Sequence, residues 1–274
     1  MKPGQISSTS NAVIKEAVRL KRKRVRYEGR RFLVEGEDLL DTALARGIVP
    51  RQVFVLEGHE DLATRVETAA AAGGGRGAAA VEFYSCSETV LAKLSELGSG
   101  SRVVAVFELP RQIIPKEMTA GKGPLLYLAG MGDPGNVGTL VRSAASLGAC
   151  AVALAPTTAD PYSPKSLRAT MGAIFQLPVY LGLEPVDLIS RARAAGLPVI
   201  CADPHEGVDL CDADLADDFI LVLGSEREGV PVELVDAADS MVRIPQEAAI
   251  ESINVAMAGT IVLYEARRQR AGKS

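Results

Sequence analysis

The chain of 274 residues contains no tryptophan, and only 4% of its residues are aromatic. Aliphatic side chains must therefore build most of its interior, and 47% of the residues are hydrophobic, which is enough for a sizeable core. Proteins that bind nucleic-acid bases by stacking need several exposed aromatic rings. Extensive base stacking is consequently not expected here.

Histidine and cysteine are also scarce. The two histidines, His59 and His205, are too few for a metal cluster or a histidine-based catalytic triad. The four cysteines are far apart, and no Cys-x-x-Cys or mixed Cys/His spacing is typical of a zinc site. We therefore predict that the protein binds no metal and that its cysteines are reduced and mostly buried.

Long apolar runs are absent as well. No stretch reaches the length of about 18 apolar residues that spans a bilayer. The first 15 residues are polar and lack the apolar core of a signal peptide. These features predict a cytoplasmic protein without a membrane segment.

Positive charge is concentrated at one end. The net charge is −4, yet residues 1–31 hold ten Lys or Arg and only two Glu, a local charge of +8 on an otherwise acidic chain. A charge run is often just a solvated helix face, but a cluster this strong favours contact with phosphates. The candidate RNA-binding residues here are Lys21, Arg22, Lys23, Arg24, Arg26 and Arg30.

Two series of alternating strands and helices predict two α/β domains. The first covers residues 1–108 and begins with a helix predicted over Asn11–Arg24. Residues 109–123 contain two prolines and two glycines without apolar periodicity and are predicted to be a linker. Residues 124–274 form the second domain, whose short strands rich in Val, Leu and Ile predict a mostly parallel sheet.

The second domain opens with a strand, a glycine-rich turn and a helix. The apolar run 125–129 is followed by Gly, Pro and Asn residues, and helical spacing of apolar residues starts at Val137. Gly148 supplies the stop signal of this helix. Asn136 is expected at the helix entrance and Arg142 inside the helix.

The turn Gly130–Gly135 also spells G-x-G-x-x-G, the dinucleotide-binding pattern. Pro134 lacks the N–H that a pyrophosphate needs, and the helix is predicted to start only after the last glycine. The next strand ends in Leu154-Ala155-Pro156, without an acid for the ribose. An NAD-dependent Rossmann enzyme is therefore the weaker alternative.

Two further polar turns follow predicted strands. Gly224-Ser225-Glu226 and Gly229 come after the strand 219–223. Ile244-Pro245 ends a later strand, and Ser252-Ile253-Asn254 lies where an apolar helix begins, with Ser252 predicted as its N-cap. Each turn taken alone fits an ordinary structural connection equally well.

The three patterns together, in this order, resemble the SpoU/TrmH branch of the SPOUT RNA methyltransferases. They are Asn136-x-Gly138-x-x-x-Arg142, Gly224-Ser225-Glu226-x-x-Gly229, and Ile244-Pro245 with Ser252-Ile253-Asn254-Val255. Ser163–Pro178 is similar to the connecting segment of that family. Residues 32–36 and 53–55 are similar to its small ribosomal-protein-like domain, so the resemblance covers nearly the whole chain.

The resemblance implies an N-terminal α/β domain that binds RNA and a C-terminal SPOUT domain with a parallel sheet and a deep trefoil knot. It implies a homodimer with its active sites near the interface. It also implies S-adenosylmethionine as cofactor, bound largely through backbone groups. The cofactor-binding residues would be Leu223, Gly224, Ser225, Gly229, Ile244 and Ile253.

The implied reaction is methyl transfer to a ribose 2'-hydroxyl of RNA. Its catalytic residues would be Arg142, Asn136, Glu226, Ser252 and Asn254. Arginine essentially never loses its proton, so Arg142 is expected to orient the nucleophile or a phosphate and to stabilise the developing alkoxide. Arg168 is a further candidate for RNA contact.

The separate N-terminal domain favours large-subunit rRNA over tRNA as substrate, and a role in antibiotic resistance is a related hypothesis. The other alternative is a dimer that binds RNA without catalysis. The chain departs from the family pattern at three positions, with Gln246 in place of the usual Met, Ile253 in place of Leu and Ala256 in place of Ser. These departures concern the fit of ligands and leave the catalytic positions intact.

Overall fold

The computed structural model describes residues 4–72, 81–96, 100–111, 123–247 and 252–273. The chain divides into two compact units, one formed by Met1–Arg111 with Tyr162–Phe175 and the other by Gln112–Pro161 with Gln176–Ser274. The predicted domains differ in one respect, because 162–175 was placed in the C-terminal domain. Most of the predicted linker 109–123 lies outside the described residues.

The first unit contains a five-stranded mixed sheet of order β1-β4-β3-β5-β2. Strands β1, β4 and β3 run parallel, while β5 is antiparallel to both β3 and β2. The strands are β1 (Gly4–Ile6), β2 (Arg31–Glu35), β3 (Gln52–Leu56), β4 (Glu82–Cys86) and β5 (Val103–Glu108). The helices are α1 (Ala12–Arg19), α2 (Lys23–Gly29), α3 (Glu37–Ala45), α4 (Asp61–Ala72), α5 (Glu88–Leu94) and, from the later segment, α7 (Pro164–Thr170).

The single helix predicted over Asn11–Arg24 was wrong, because the chain breaks between α1 and α2. The Asn11 side chain caps α1 by accepting a hydrogen bond from the Val13 N–H at 2.8 Å. The buried Arg26 guanidinium donates to the carbonyls of Leu20 and Lys21 at 2.9 and 2.7 Å. These carbonyls lack helical partners at the end of α1, so Arg26 stabilises the break.

Four of the twelve aromatic residues cluster where the segment Tyr162–Phe175 packs on the rest of the first unit. The Phe32 ring lies 5.0 Å from that of Tyr162, and the Phe107 ring lies 5.3 Å from that of Phe175. Gly172 has φ +84°, and a Cβ added there would come within 2.7 Å of the Thr42 side chain. Unlike the aliphatic interior that the composition predicts, this core is therefore partly aromatic.

The second unit contains a seven-stranded sheet of order β10-β12-β9-β11-β6-β7-β8 in which every pair is parallel. Its strands are β6 (Leu125–Leu128), β7 (Ala151–Leu154), β8 (Val179–Leu181), β9 (Val199–Ala202), β10 (Val208–Asp209), β11 (Ile220–Leu223) and β12 (Ser240–Arg243). Its helices are α6 (Pro134–Leu147), α8 (Pro185–Ala195), α9 (Val232–Asp236) and α10 (Val255–Lys273). The predicted α/β class with a parallel sheet is confirmed, whereas the knot stays a prediction.

The parallel register brings the polar turns together. The carboxyl ends of β12, β9, β11 and β6 meet at one edge of the sheet, because these four strands are successive neighbours. Helix α10 packs closely on this edge, since a Cβ added at Gly259 would overlap Leu223 and come within 2.6 Å of the Leu140 Cδ2 atom. The start of α10 therefore lies beside the end of β11 and helix α6.

The cysteines form no disulfide. Cys86 and Cys201 are buried, and burial raises the pKa of each thiol to about 12. Cys150 is half-buried and Cys211 is exposed, so the expectation of mostly buried thiols holds for two of the four. Across the described ranges, every helix is too short or too polar to cross a lipid bilayer.

Candidate active site

Helix α6 begins three residues earlier than predicted. The Asp133 carboxylate caps it by accepting a hydrogen bond from the Gly135 N–H at 2.6 Å, and Pro134 occupies the first helical position. Proline is well suited to that position because its missing N–H would have no helical partner there. Asn136 consequently lies in the first turn of the helix. The predicted late start of the helix, which disfavoured a dinucleotide site, was therefore wrong, whereas the missing N–H of Pro134 still disfavours a pyrophosphate there.

Helix α10 is capped by Asn254, and the prediction of Ser252 as N-cap was wrong. The Asn254 Oδ1 atom accepts hydrogen bonds from the N–H groups of Ala256 at 2.9 Å and Met257 at 3.3 Å. Since the oxygen is committed to the helix, the amide nitrogen of Asn254 faces other partners. Ser252 is exposed and lies before the helix.

Three of the predicted catalytic residues form one hydrogen-bonded chain. The Asn254 Nδ2 atom donates to Asn136 Oδ1 at 3.2 Å. The Asn136 Nδ2 atom in turn donates to the Glu226 carboxylate. The chain ties the starts of α6 and α10 to the loop after β11, and it orients both amides in one direction. We call it the Asn254–Asn136–Glu226 chain.

The loop that carries Glu226 is closed on itself. Ser225 and Gly229 exchange two backbone hydrogen bonds of 3.0 and 3.1 Å, and the Ser225 Oγ atom accepts from the Glu228 N–H at 3.0 Å. A Cβ at Gly224 would overlap the Gly229 carbonyl group, so only glycine fits at that position. The loop therefore presents Glu226 from a short, fixed turn.

A cavity of about 560 Å³ opens between these loops, a volume typical of a small-molecule site. It is lined by all six predicted cofactor-binding residues: Leu223, Gly224, Ser225, Gly229, Ile244 and Ile253. Glu226, Ser252 and Asn254 line it as well. Apolar walls with a few polar groups suit the adenosine and the methionine parts of S-adenosylmethionine, so the residues present fit this cofactor.

The turn after β9 also forms part of the cavity, and this part was not predicted from the sequence. Asp203 and His205 line it there, and the Asp203 carboxylate accepts from the N–H groups of His205 and Glu206 at 2.8 and 2.9 Å. This turn belongs to none of the polar patterns found in the sequence, and its place in the cavity depends on β9 being the neighbour of β11 in the sheet. An acid thus follows a strand at this edge, although not the strand where the dinucleotide pattern requires it.

Arg142 lies apart from the cavity. It is exposed on α6, does not line the cavity, and within the described part of the chain its side chain has no hydrogen bond or ion pair. Six residues separate it from Asn136, which places the two side chains about 120° apart around the helix axis. Within one copy of the protein, Arg142 therefore does not join the Asn254–Asn136–Glu226 chain.

Comparison with known proteins decides the family. The model of the SpoU rRNA Methylase family matches residues 124–264, and that of the MRM3-like substrate binding domain matches residues 11–105. The chain belongs to the SpoU rRNA methylase family. The predicted family is therefore confirmed.

Relatives of this SpoU methylase match along nearly the whole chain. The 23S rRNA (guanosine(2553)-2'-O)-methyltransferase RlmP of Bacillus subtilis is 29% identical over 96% of the chain and 99% of its own length. The AdoMet-bound rRNA methyltransferase of Sinorhizobium meliloti is 31% identical with a TM-score of 0.85, covering 96% of this chain and 97% of its own. AviRb of Streptomyces viridochromogenes, solved with AdoMet, is 28% identical with a TM-score of 0.82, covering 95% and 98%.

The basic residues predicted to bind RNA fall within the first unit of the SpoU methylase and differ in exposure. Arg26 is only 3% exposed, so its prediction as a phosphate contact is corrected by its bonds to backbone carbonyls. Lys21 donates to the carbonyls of Lys93 and Ser95 at 3.2 and 2.8 Å, and Arg30 donates to the Leu109 carbonyl at 3.1 Å. These three cations thus bind backbone carbonyls within the unit.

Three of the predicted RNA contacts, Arg22, Lys23 and Arg24, are exposed and make no bond to a backbone carbonyl in the described part of the chain. Arg22 is exposed and, among the described residues, has no ion pair or hydrogen bond from its side chain. Lys23 is exposed near the Tyr27 ring, 6.0 Å from its centroid, and Arg24 pairs with Glu28 at 2.6 Å. Arg168 is half-buried, and its Nη1 atom is buried without a partner in the described part of the chain. Among the predicted RNA contacts, the exposed charges are thus those of residues 22–24 and Arg30.

The two functions of Asn254 can be separated by substitution. Asn254→Asp keeps an oxygen to cap α10 but cannot donate to Asn136, whereas Asn254→Ala loses both interactions. We expect Asn254→Ala to lower the free energy of unfolding by about 1 kcal/mol and Asn254→Asp to change it less. Both variants should lower the rate of methyl transfer, measured beside thermal unfolding. A wild-type rate for Asn254→Asp would show that the Asn254–Asn136–Glu226 chain is not needed.

Proposed function

We propose that the protein transfers the methyl group of S-adenosylmethionine to a ribose 2'-hydroxyl of rRNA. The observation that carries this proposal is the 560 Å³ cavity, whose lining includes every predicted cofactor residue and which opens beside the Asn254–Asn136–Glu226 chain. The family and the two relatives solved with AdoMet support it. A non-catalytic RNA-binding protein would have no need to keep this cavity next to a polar chain.

Bound in the cavity, S-adenosylmethionine supplies an electrophilic methyl group on a sulfonium. The 2'-oxygen forms a bond to the methyl carbon, the carbon–sulfur bond breaks with its electron pair on sulfur, and the hydroxyl proton must leave. The chain's own contribution is to hold the hydroxyl in line and to stabilise its developing negative charge. The closed Ser225–Gly229 loop and the chain through Asn136 give the site a fixed wall for this purpose.

Arg142 is proposed to act on the RNA side. Its guanidinium stays charged, so it can bind a phosphate or stabilise the alkoxide but cannot accept the proton. Arg142 is exposed and has no partner among the described residues, so its side chain can make such a contact. The proton then passes to a phosphate oxygen or another nearby acceptor.

A homodimer would bring Arg142 to the cavity. The outer face of α10 exposes Met257, Ile261 and Tyr264, which are 64%, 40% and 59% exposed and lie four and three residues apart on one side of the helix. Helix α6 packs against α10, and the Ser143 and Thr260 hydroxyls join them at 2.7 Å. An apolar stripe of this kind is typical of a self-association surface. We propose that two copies pair through it and that Arg142 of one copy serves the cavity of the other.

Large-subunit rRNA is the proposed substrate, and tRNA is the less favoured one. The support is the substrate-binding domain matched over residues 11–105 and the full-length match to a 23S rRNA methyltransferase.

We further propose a cytoplasmic location, a deep trefoil knot in the second unit, and a homodimer without metal. A role in antibiotic resistance stays a prediction. Among the described residues, no group of three or more His, Cys, Asp or Glu side chains is arranged to hold a metal ion.

Arg142→Ala should abolish methylation while leaving cofactor binding intact. Loss of one charge-stabilising group lowers such rates on the order of 10²-fold or more. The measurements are transfer of labelled methyl groups to rRNA, calorimetric binding of S-adenosylmethionine, and mapping of ribose methylation across rRNA in cells with either form.

Thr139→Ala, an exposed change one turn earlier on α6, is the matched control and should be active. A wild-type protein that binds S-adenosylmethionine but methylates no RNA would support the RNA-binding alternative. Binding of NADH in preference to S-adenosylmethionine would support the dinucleotide alternative.

Mixed dimers test whether Arg142 acts across the interface. Ala258 lines the cavity, so Ala258→Trp should fill it and block the cofactor. Each variant alone should be inactive. Co-expression of Arg142→Ala with Ala258→Trp should restore about a quarter of wild-type activity, because half of the dimers of a twofold assembly are mixed and each mixed dimer has one complete site. No recovery in dimers shown to be mixed would place Arg142 and the cavity in the same chain.

The basic residues should separate into two classes. The double variant Arg22→Ala/Lys23→Ala should weaken RNA binding and reduce its salt dependence without changing stability, because these side chains are exposed. Arg26→Ala should instead lower the free energy of unfolding, since two carbonyls lose their donor. Filter binding at several salt concentrations and thermal unfolding check both. Unchanged RNA affinity in the double variant would move the RNA surface elsewhere.

A further inference from the structure

Gln246 carries an unusual polar group into the cofactor cavity. It follows Ile244 and Pro245 after β12 and lines the cavity, and its Oε1 atom is buried without a hydrogen-bond partner among the described residues. Buried polar atoms in proteins nearly always have a partner, and one left without costs about 1–3 kcal/mol. The position of the atom indicates that its partner is a ligand.

The residues around Gln246 indicate which chemical group of a ligand would lie there. Val242, Ile244, Ile253 and Val262 line the same cavity and offer apolar contact to a flat ring. A glutamine carboxamide has an acceptor and a donor side by side, which pair with the amino group and a ring nitrogen of adenine. The ribose hydroxyls and the methionine part do not present this combination on an apolar ring.

We propose that the Gln246 side chain binds the adenine edge of the cofactor, its Oε1 atom accepting a hydrogen bond from the adenine 6-amino group. The inference rests on the cofactor assignment of the proposed function. A methionine at this position, usual in the family that the sequence resembles, fills similar space but has no comparable donor and acceptor. Gln246 is thus a specificity-determining residue for the purine.

The test compares two ligands that differ in one group. S-adenosylhomocysteine has the 6-amino donor, and S-inosylhomocysteine has a carbonyl acceptor in its place. Calorimetry measures the affinity of each ligand for wild type, Gln246→Met and Gln246→Glu. Glu247→Ala is the matched control, because Glu247 is the next residue, is exposed and does not line the cavity.

Gln246→Met should bind S-adenosylhomocysteine on the order of tenfold more weakly, the loss expected for one hydrogen bond to a buried group. Its affinity for S-inosylhomocysteine should also fall, because the wild-type carboxamide can rotate and donate to the inosine carbonyl. Gln246→Glu has only acceptor oxygens when ionised, so it should prefer the amino compound more strongly than wild type does. Glu247→Ala should bind both ligands as wild type does.

Two results would overturn the proposal. Equal affinity of wild type and Gln246→Met for S-adenosylhomocysteine would show that the side chain makes no contact, and an unchanged ligand preference in Gln246→Glu would show that residue 246 does not contact the amino group. Failure of wild type itself to bind S-adenosylhomocysteine would instead overturn the cofactor assignment, and the inference with it. Thermal unfolding of each variant separates a lost contact from a lost fold.

Discussion

The close approach of α10 to the parallel sheet is the constraint on which the site depends. Gly259 allows the helix to lie directly against Leu223, the last residue of β11, and against Leu140 of α6. The start of α10 is thereby fixed beside the loop that begins at Gly224. Asn254 can reach Asn136 only because the helix lies this close, and one side of the cavity is formed by the same helix.

Asn254 then divides its two amide atoms between structure and site. Its oxygen stabilises the helix start, and its nitrogen continues into the Asn254–Asn136–Glu226 chain. The direction of every hydrogen bond in the chain is fixed by its two ends. The capping bonds need an acceptor, the Asn254 oxygen, and an ionised Glu226 carboxylate has no proton to donate. The polar wall of the cavity is thus oriented by backbone N–H groups, while the exposed cation of Arg142 lies on a different face of α6.

The sequence predicted those features that depend on local pattern. The strands predicted over residues 125–129 and 219–223 are observed as β6 and β11, each within one residue of its predicted bounds, because short apolar runs followed by a glycine turn have few alternatives. The helix over Asn11–Arg24 failed since its break depends on Arg26, six residues beyond the carbonyl of Leu20. Ser252 and Asn254 are both good capping residues, and only the backbone decides between them.

The residues that line the cavity were likewise only partly predictable from the sequence. Its predicted residues belong to motifs that can be read along the chain, whereas Asp203 enters through the neighbouring position of β9 and β11 in the sheet. The sequence showed that Gln246 departs from the family, but not that its oxygen is buried, because burial depends on residues distant along the chain. Arg168 was predicted to contact RNA, and the burial of its Nη1 atom could not be predicted from the sequence for the same reason.

The packing of Tyr162–Phe175 on the first unit has a consequence for how the protein is made. Phe32 and Phe107 are almost fully buried, and their aromatic neighbours Tyr162 and Phe175 lie far later in the chain. During synthesis, the first unit therefore cannot complete its core until residue 175 has left the ribosome, by which time β6, α6 and β7 of the second unit have already emerged. Neither unit is a contiguous stretch of sequence, so a gene cut after residue 111 would encode an N-terminal piece with an unfinished aromatic core.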